Sequence, residues 1–187
     1  SPSRVRVVAT NALRQAKNAN DFIKRANEIL PKPIEIIAGR EEARLIYLGV
    51  SHTNASSDKR LVIDIGGGST EFIIGQGFEP LLTESLQMGC VAYTQKFFAD
   101  GQMTKDAFNK AMASARKDIL AINGQYQKMG WSSVFGSSGT IKAVRNALVS
   151  KGWSDDQERI TYEGIKKLEK LLIKVGDVND IELEGVK

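Results

Sequence analysis

The chain has 187 residues, of which 42% are hydrophobic and 26% are charged, and its formal net charge is +4 at pH 7. This is the composition of a globular protein with a sizeable core, and no apolar run approaches the roughly 18 residues of a membrane span, so we expect a cytoplasmic protein without a transmembrane segment. The single cysteine, Cys90, excludes an internal disulfide and a multi-cysteine zinc site, and the positive charge forms no aromatic-interleaved stripe of the kind that binds nucleic acid.

The first 58 residues predict a strand, a helix and a second strand, followed by another helix and a linker. The apolar run 5–9 predicts a strand, the apolar spacing over 19–30 predicts a helix, and 34–37 predicts a short strand after two prolines. This order implies a parallel crossover. A helix is predicted over 41–48, with two acids in its first turn, and the polar segment 51–58 is the expected boundary between two lobes.

The stretch 61–71 carries the strongest chemical signal, because a β-branched run ends in an acid and then in three glycines, two hydroxyl residues and a second acid. The run predicts a buried strand, and the glycines let another group approach the backbone closely. A turn whose N–H groups point into one concavity is a way to hold phosphate. Asp64 and Glu71 flank this turn, which favours a divalent cation or an activated water between them. A structural glycine turn between two strands is the alternative.

The remaining residues predict a meander and then alternating helices and strands. Strands over 72–74 and 81–86, closed by glycine turns, are expected to be antiparallel. Helices are predicted over 91–98 and from an N-cap at Thr104 to Gly124, and a last helix runs from Thr161 to Gly176. Cys90 is expected to be a small buried residue, not a nucleophile.

A second loop of small residues, 136–140, follows the strand predicted over 132–135 and opens a helix. The first N–H groups of a helix lack intrahelical partners and carry positive potential, so this loop is also suited to phosphate. Alone, such a turn is more often structural than functional. Two such loops in one lobe would face one site.

Five ordered motifs, at 7–14, 39–43, 64–71, 88–91 and 136–140, resemble those of the exopolyphosphatase and guanosine pentaphosphate phosphohydrolase family. The resemblance implies the actin, Hsp70 and sugar-kinase superfamily, with two ribonuclease-H-like lobes and a phosphate chain in the cleft between them. The expected fold is therefore α/β, with a mixed sheet and flanking helices. Residues 1–50 would be the tail of a first lobe, and 51–187 a second lobe that is truncated at its C-terminus. The family's upstream phosphate loop is absent, so the chain looks like an internal fragment.

The resemblance also implies roles for individual residues. Glu42 would be the catalytic glutamate that polarises the attacking water, Glu71 would assist it, and Asp64 would hold Mg²⁺ or another divalent cation. The phosphate-binding residues would be Gly66, Gly67, Gly68, Ser69, Thr70, Gly136, Ser137, Ser138, Gly139, Thr140 and Arg14. Without the resemblance, the favoured explanation of Glu42 is a helix N-terminal acid, and Arg14 is equally explained as a surface cation.

The expected function is that of a hydrolase which releases terminal orthophosphate from inorganic polyphosphate or from guanosine pentaphosphate by metal-assisted attack of water. The fragment alone is expected to be inactive, and a homodimer is allowed. Two alternatives stay open: a sugar-kinase-type or actin-like phosphotransferase that binds ATP, and a non-catalytic domain that senses phosphate chains or alarmone nucleotides. Fold alone does not separate them, and the sequence does not rank the two favoured substrates.

Overall fold

The computed structural model describes residues 5–54 and 56–183. The strands are β1 (Val7–Ala9), β2 (Ile34–Ile36), β3 (Lys59–Ile65), β4 (Thr70–Gln76), β5 (Glu79–Leu86) and β6 (Ser133–Ser137). The helices are α1 (Asn11–Gln15), α2 (Ala19–Asn27), α3 (Gly39–Thr53), α4 (Cys90–Phe97), α5 (Lys105–Met129), α6 (Ser138–Ser150) and α7 (Tyr162–Val175). Among these described helices, none is long and apolar enough to cross a membrane.

A small parallel sheet holds the N-terminal crossover. β1 pairs with β2, with Val7 opposite Ile34 and Ala9 opposite Ile36. The connection consists of α1 and α2, so the predicted parallel crossover is confirmed. The end of α2 at Asn27 comes three residues before the predicted one, ahead of the two prolines that stop the helix.

The larger sheet is mixed and has the strand order β5-β4-β3-β6. β4 pairs antiparallel with both β3 and β5, which confirms the predicted meander, whereas β6 pairs parallel to β3. Gly77, with φ at +58°, allows the two-residue turn between β4 and β5. The predicted fold class, an α/β lobe with a mixed sheet and flanking helices, is thus confirmed.

Helices cover both faces of the larger sheet. On one face, Ala43 and Tyr47 of α3 pack against Val62 and Ile73. On the other, Tyr126 of α5 lies in the cluster of Leu61, Phe72 and Ile74, and its hydroxyl donates to the Phe72 carbonyl at 2.7 Å. The sheet is therefore packed between α3 and α5, which cover its two faces.

The linker predicted over 51–58 is shorter in the structure, because 51–53 form the last turn of α3. One buried face of α3, with helical spacing, contains Ala43, Tyr47 and Ser51. The last turn was predicted as linker because its side chains are polar. Part of these predictions lies outside the described residues: residue 55 of the linker, residues 1–4 of the predicted first lobe and residues 184–187 of the predicted second lobe. The predicted lobe boundary at residue 50 falls inside α3, which packs on the larger sheet; the division into lobes stays a prediction.

The predicted end of the long helix at Gly124 is wrong. α5 continues to Met129 and ends at Gly130, whose φ of +67° suits a glycine. Gly124 lies exposed on the helix, and the buried Tyr126 extends the apolar face beyond it. Packing of the last turn thus outweighs the weak helix propensity of a single glycine.

Candidate active site

The two predicted loops leave the larger sheet at the same edge. In the parallel pairing of β3 with β6, Ile63 lies opposite Gly136 and Asp64 lies opposite Ser137. Because the carboxyl ends of parallel strands meet at one edge, the loop 66–70 and the segment 136–140 begin side by side. The sequence suggested that the two loops face one site, but it does not show which strands are neighbours in the sheet.

The first loop is braced by the start of α4. The Cys90 N–H donates to the Gly66 carbonyl at 2.9 Å, and the Ala92 N–H donates to the Gly67 carbonyl at 3.0 Å. All described peptides are trans, and in a trans peptide the N–H points opposite to the C=O. The N–H groups of Gly67 and Gly68 therefore point away from the N–H groups of α4 that hold the loop. Cys90 itself is exposed, so its predicted burial is wrong.

The hydroxyls of this loop face inward. Ser69 and Thr70 are each only 2% exposed, and the Thr70 hydroxyl donates to the Met88 carbonyl. The geometry therefore offers the backbone N–H groups of Gly67 and Gly68, more than these hydroxyls, as the donors for a phosphate.

Glycine is required in and around the loop for close packing. A Cβ on Gly68 would lie 2.2 Å from the Asn11 Oδ1 atom, and a Cβ on Gly89 would lie 2.3 Å from the Gly67 carbonyl carbon. A Cβ on Gly67 would meet only Val91, at 3.4 Å. Gly67 is thus the exposed, sterically open position of the loop, and Gly68 is the tightly packed one.

The second loop ends in an unusual backbone conformation. Ser138, the first residue of α6, has φ at +94°, a region that non-glycine residues rarely adopt. Its Oγ accepts from the Ile141 N–H at 3.3 Å, as an N-cap side chain does. Such strain persists where the surrounding structure fixes it, and it clusters at functional sites. Ser137, Gly139 and Thr140 lie beside it, at the end of β6 and in the first turn of α6.

Arg14 and Glu42, which are 28 residues apart, form an ion pair. The Arg14 guanidinium donates one N–H to the Ile37 carbonyl at 2.7 Å and another to Glu42 Oε2 at 3.0 Å. Both side chains are 17% exposed. Arg14 stands at the end of α1 and Glu42 in the first turn of α3, so the crossover of the small sheet brings them together.

Glu71 is the most buried carboxylate of the site, at 1% exposure. Burial raises its pKa above the ordinary value, hydrogen bonds from Ser69 and Ser85 oppose that rise, and the negative charges of Glu42 and Asp64 add to it. Asp64 is the direct partner of Glu71 across β3 and β4. Glu42 and Asp64 therefore lie near enough to Glu71 to repel its carboxylate.

A divalent cation fits this group of carboxylates only in one way. In the described residues, no cluster of three or more His, Cys, Asp or Glu side chains is arranged to hold a metal ion. Mg²⁺ commonly binds through one or two carboxylates together with substrate phosphates and water. Asp64, with a second carboxylate opposite it, matches that pattern.

Sequence reasoning missed three residues that shape the site. Asn11 packs against the Gly68 backbone and donates to Gln87 Oε1 at 3.1 Å. Ser85 donates to Glu71 Oε1 at 2.8 Å, and Gly39 packs against Ser85. Ser85 carried no usable signal, because a regular register counted from the glycine turn would place Glu84 opposite Glu71, and a bulge between Ile74 and Gly75 shifts the pairing by one residue. Asn11 and Gly39 lie in motifs that the resemblance used, but their contacts are long-range.

A family model described as the Ppx/GppA phosphatase family matches residues 1–187. The chain belongs to this family. A guanosine-5'-triphosphate,3'-diphosphate pyrophosphatase of Vibrio campbellii is 42% identical over 182 residues, which cover 97% of this chain and 36% of that protein. The chain thus spans about a third of the length of the curated relatives that it matches.

Solved structures of the family share the fold. A structure of the Aquifex aeolicus PPX-GPPA enzyme is 28% identical, with a TM-score of 0.71, over 92% of this chain and 57% of that one. An exopolyphosphatase of Cytophaga hutchinsonii, at 23% identity, has a TM-score of 0.79 over 97% of this chain and 61% of that one. At that identity the second likeness shows the fold alone. The family resemblance expected from the five motifs is confirmed.

Proposed function

We propose that this chain belongs to a hydrolase that releases terminal orthophosphate from inorganic polyphosphate or from guanosine pentaphosphate. The observation that carries the proposal is the convergence of Glu42, Arg14 and Glu71 at the strand edge where both loops begin. Phosphoryl transfer needs an oriented nucleophile and positive groups around the phosphorus more than it needs covalent chemistry. The printed activity of the Vibrio campbellii relative, a pyrophosphatase of guanosine-5'-triphosphate,3'-diphosphate, agrees with this reaction class.

Glu42 is assigned as the general base. Its Oε2 atom accepts from Arg14, and Oε1 would accept the proton of the attacking water. The water oxygen then bonds to the terminal phosphorus while the bridging P–O bond breaks, and the bridging oxygen leaves with the shortened chain. Glu71 assists as a second carboxylate on the same water.

The phosphates are assigned to the donors at the loops and to Arg14. Two of the five N–H groups of the Arg14 guanidinium are used by Ile37 and Glu42, and the others are suited to a phosphate oxygen. The N–H groups of Gly67 and Gly68, together with those at the start of α6, would hold further oxygens. Asp64 would hold Mg²⁺, which supplies positive charge to the phosphate oxygens when bound.

The test is a phosphate-release assay on the full-length protein with three substrates: polyphosphate, guanosine pentaphosphate and ATP, each with and without Mg²⁺. The proposal expects Mg²⁺-dependent release from at least one of the first two. Release without Mg²⁺ would remove the metal role of Asp64. Transfer of the ATP phosphate to an acceptor, without hydrolysis of the other two substrates, would contradict the proposal and favour a phosphotransferase.

A further inference from the structure

Ser85, on β5, contacts both elements that carry the proposed catalytic carboxylates. These are β4, which carries Glu71, and α3, which carries Glu42. It is the register partner of Glu71 across β4 and β5. Its hydroxyl donates to Glu71 Oε1 at 2.8 Å in a partly buried hydrogen bond, and Glu71 itself is only 1% exposed. A hydrogen bond to a buried charged group is stronger than one between neutral groups.

Ser85 also contacts the helix that carries Glu42. A Cβ built on Gly39, the first residue of α3, would lie 2.5 Å from both the Cβ and the Oγ atoms of Ser85. Non-bonded atoms do not approach so closely, so only glycine lets α3 begin at this distance from β5. Glu42 is three residues further along, on the same first turn.

The charges around Glu71 explain why it needs an anchor. Glu42 faces it from α3 and Asp64 faces it from β3, and both repel a carboxylate at this position. Ser69 and Ser85 are the hydroxyl partners that favour its ionised form. Without a fixed donor, the Glu71 carboxylate would turn away from Glu42 to reduce the repulsion.

We infer that Ser85 is a positioning residue: its hydroxyl fixes the Glu71 carboxylate, and its contact with Gly39 sets the distance of the Glu42 turn from Glu71. The inference deepens the proposed function and rests on it. It assigns to one serine the alignment of two carboxylates from different elements on a single water. Misplacement of such groups by a fraction of an ångström to an ångström is enough to slow a reaction severely.

The experiment measures kcat and KM for phosphate release by the full-length protein and its variants. Ser85→Ala and Ser85→Cys should each lower kcat about tenfold, with KM changed by less than about twofold, because substrate binding lies elsewhere. Cysteine keeps the size of serine but replaces its O–H with a weak donor. Thr83→Val is the matched control, since Thr83 lies two residues earlier on β5 and pairs with Ile73.

A double variant separates the hydrogen bond from the packing. Gly39→Ala should lower both kcat and the thermal midpoint, since its Cβ collides with Ser85. Adding Ser85→Gly removes the collision, so the midpoint should recover while kcat stays low. If kcat also recovers, or if Ser85→Cys keeps the parent kcat, Ser85 has only a packing role and the inference is wrong.

A stability measurement decides the question even if the protein releases no phosphate, an outcome that would remove the proposed function. Ser85→Ala should lower the thermal midpoint less in a Glu71→Ala background than in the parent, since the hydrogen bond has already been lost there. An equal lowering in both backgrounds would show that Ser85 does not hold Glu71.

Discussion

At the level of single residues, Arg14 fixes the orientation of Glu42, the proposed general base. Its guanidinium is held by the Ile37 carbonyl and donates to Glu42 from 3.0 Å. The carboxylate is thereby oriented by a group that is itself fixed to the backbone. In the proposed role of general base, a carboxylate that is held in this way would lose little conformational freedom when the substrate arrives.

Glu42→Gln in the full-length protein should lower turnover by on the order of 100-fold or more, because the amide keeps the shape but accepts no proton. Polyphosphate binding should stay nearly unchanged. The matched control is Glu41→Gln. Glu41 immediately precedes Glu42, but its carboxylate forms ion pairs with Arg44, at 2.7 Å, and with Arg6, and not with Arg14. Turnover of the Glu42 variant within about threefold of the parent would make Glu42 a helix-terminal acid and would require another base.

The raised pKa of Glu71 predicts that the stability of the fold depends on pH. A carboxyl group whose pKa is raised in the folded state, here chiefly by burial, stabilises the fold at low pH and loses that contribution as pH rises through the folded pKa. Glu71→Gln should therefore be more stable than the parent at pH 8, and the difference should shrink towards pH 4. Urea unfolding at both pH values measures it.

Asp155 gives the control of opposite sign. The N–H of Arg159 lowers the pKa of the Asp155 carboxyl, so its ionised form stabilises the fold at neutral pH. Asp155→Asn should accordingly be less stable than the parent at pH 8. A Glu71→Gln variant that is no more stable than the parent at pH 8 would mean that hydrogen bonds from Ser69 and Ser85 outweigh the burial.

At the level of elements, the glycine loop is proposed to bind phosphate through its backbone N–H groups. Gly67→Val should weaken tripolyphosphate binding more than Ser69→Ala does, because the first crowds Val91 of α4 and so displaces the loop backbone that carries the N–H donors, whereas the second removes one buried hydroxyl. A lost hydrogen bond to a charged group costs roughly 1.5–3 kcal/mol. Calorimetric titration of the folded variants measures both. Equal effects would make the loop a structural turn.

The helix α5 makes a separate prediction about stability. Gly124 lies inside α5, and a Cβ there meets no atom within 4 Å. Gly124→Ala should therefore raise the free energy of unfolding by about 0.5–1 kcal/mol. Gly130→Ala should lower it, because Gly130 has φ at +67°. If both substitutions shifted the urea midpoint in the same direction, α5 would not extend to Met129 in solution.

Much of the element order was predictable from local patterns, because each signal lies within a few residues. The run before Asp64, the Thr104 cap and the parallel crossover are examples, and all are confirmed. The helical turn at Ser51 was not predictable, since it depends on burial against a distant strand. The same holds for the contact of Gly39 with Ser85, two residues that are separated by 46 positions and are joined only through the α3 packing.

At the level of the whole molecule, the site lies at one edge of a sheet. The loops follow the ends of β3 and β6, Arg14 lies on α1, which follows β1 of the small sheet, and Glu42 lies on α3, which follows β2. The relatives are longer, since the chain covers 57% of the Aquifex aeolicus structure and 36% of the Vibrio campbellii protein. The second wall of the cleft, which the resemblance implies, is expected within that remaining length.

The 187-residue chain alone should consequently fold, bind phosphate weakly and release no phosphate above background. Its larger sheet is covered on both faces by α3 and α5, which provides a core. The proposed reaction, however, requires water, metal and phosphorus to be held together, and the lack of one wall of the expected cleft would forfeit positioning that is worth several kcal/mol of the barrier. Phosphate release from polyphosphate is measured for this chain and for the full-length protein. Activity should return only in the longer protein; comparable turnover by the two would show that residues 1–187 already contain the complete cleft.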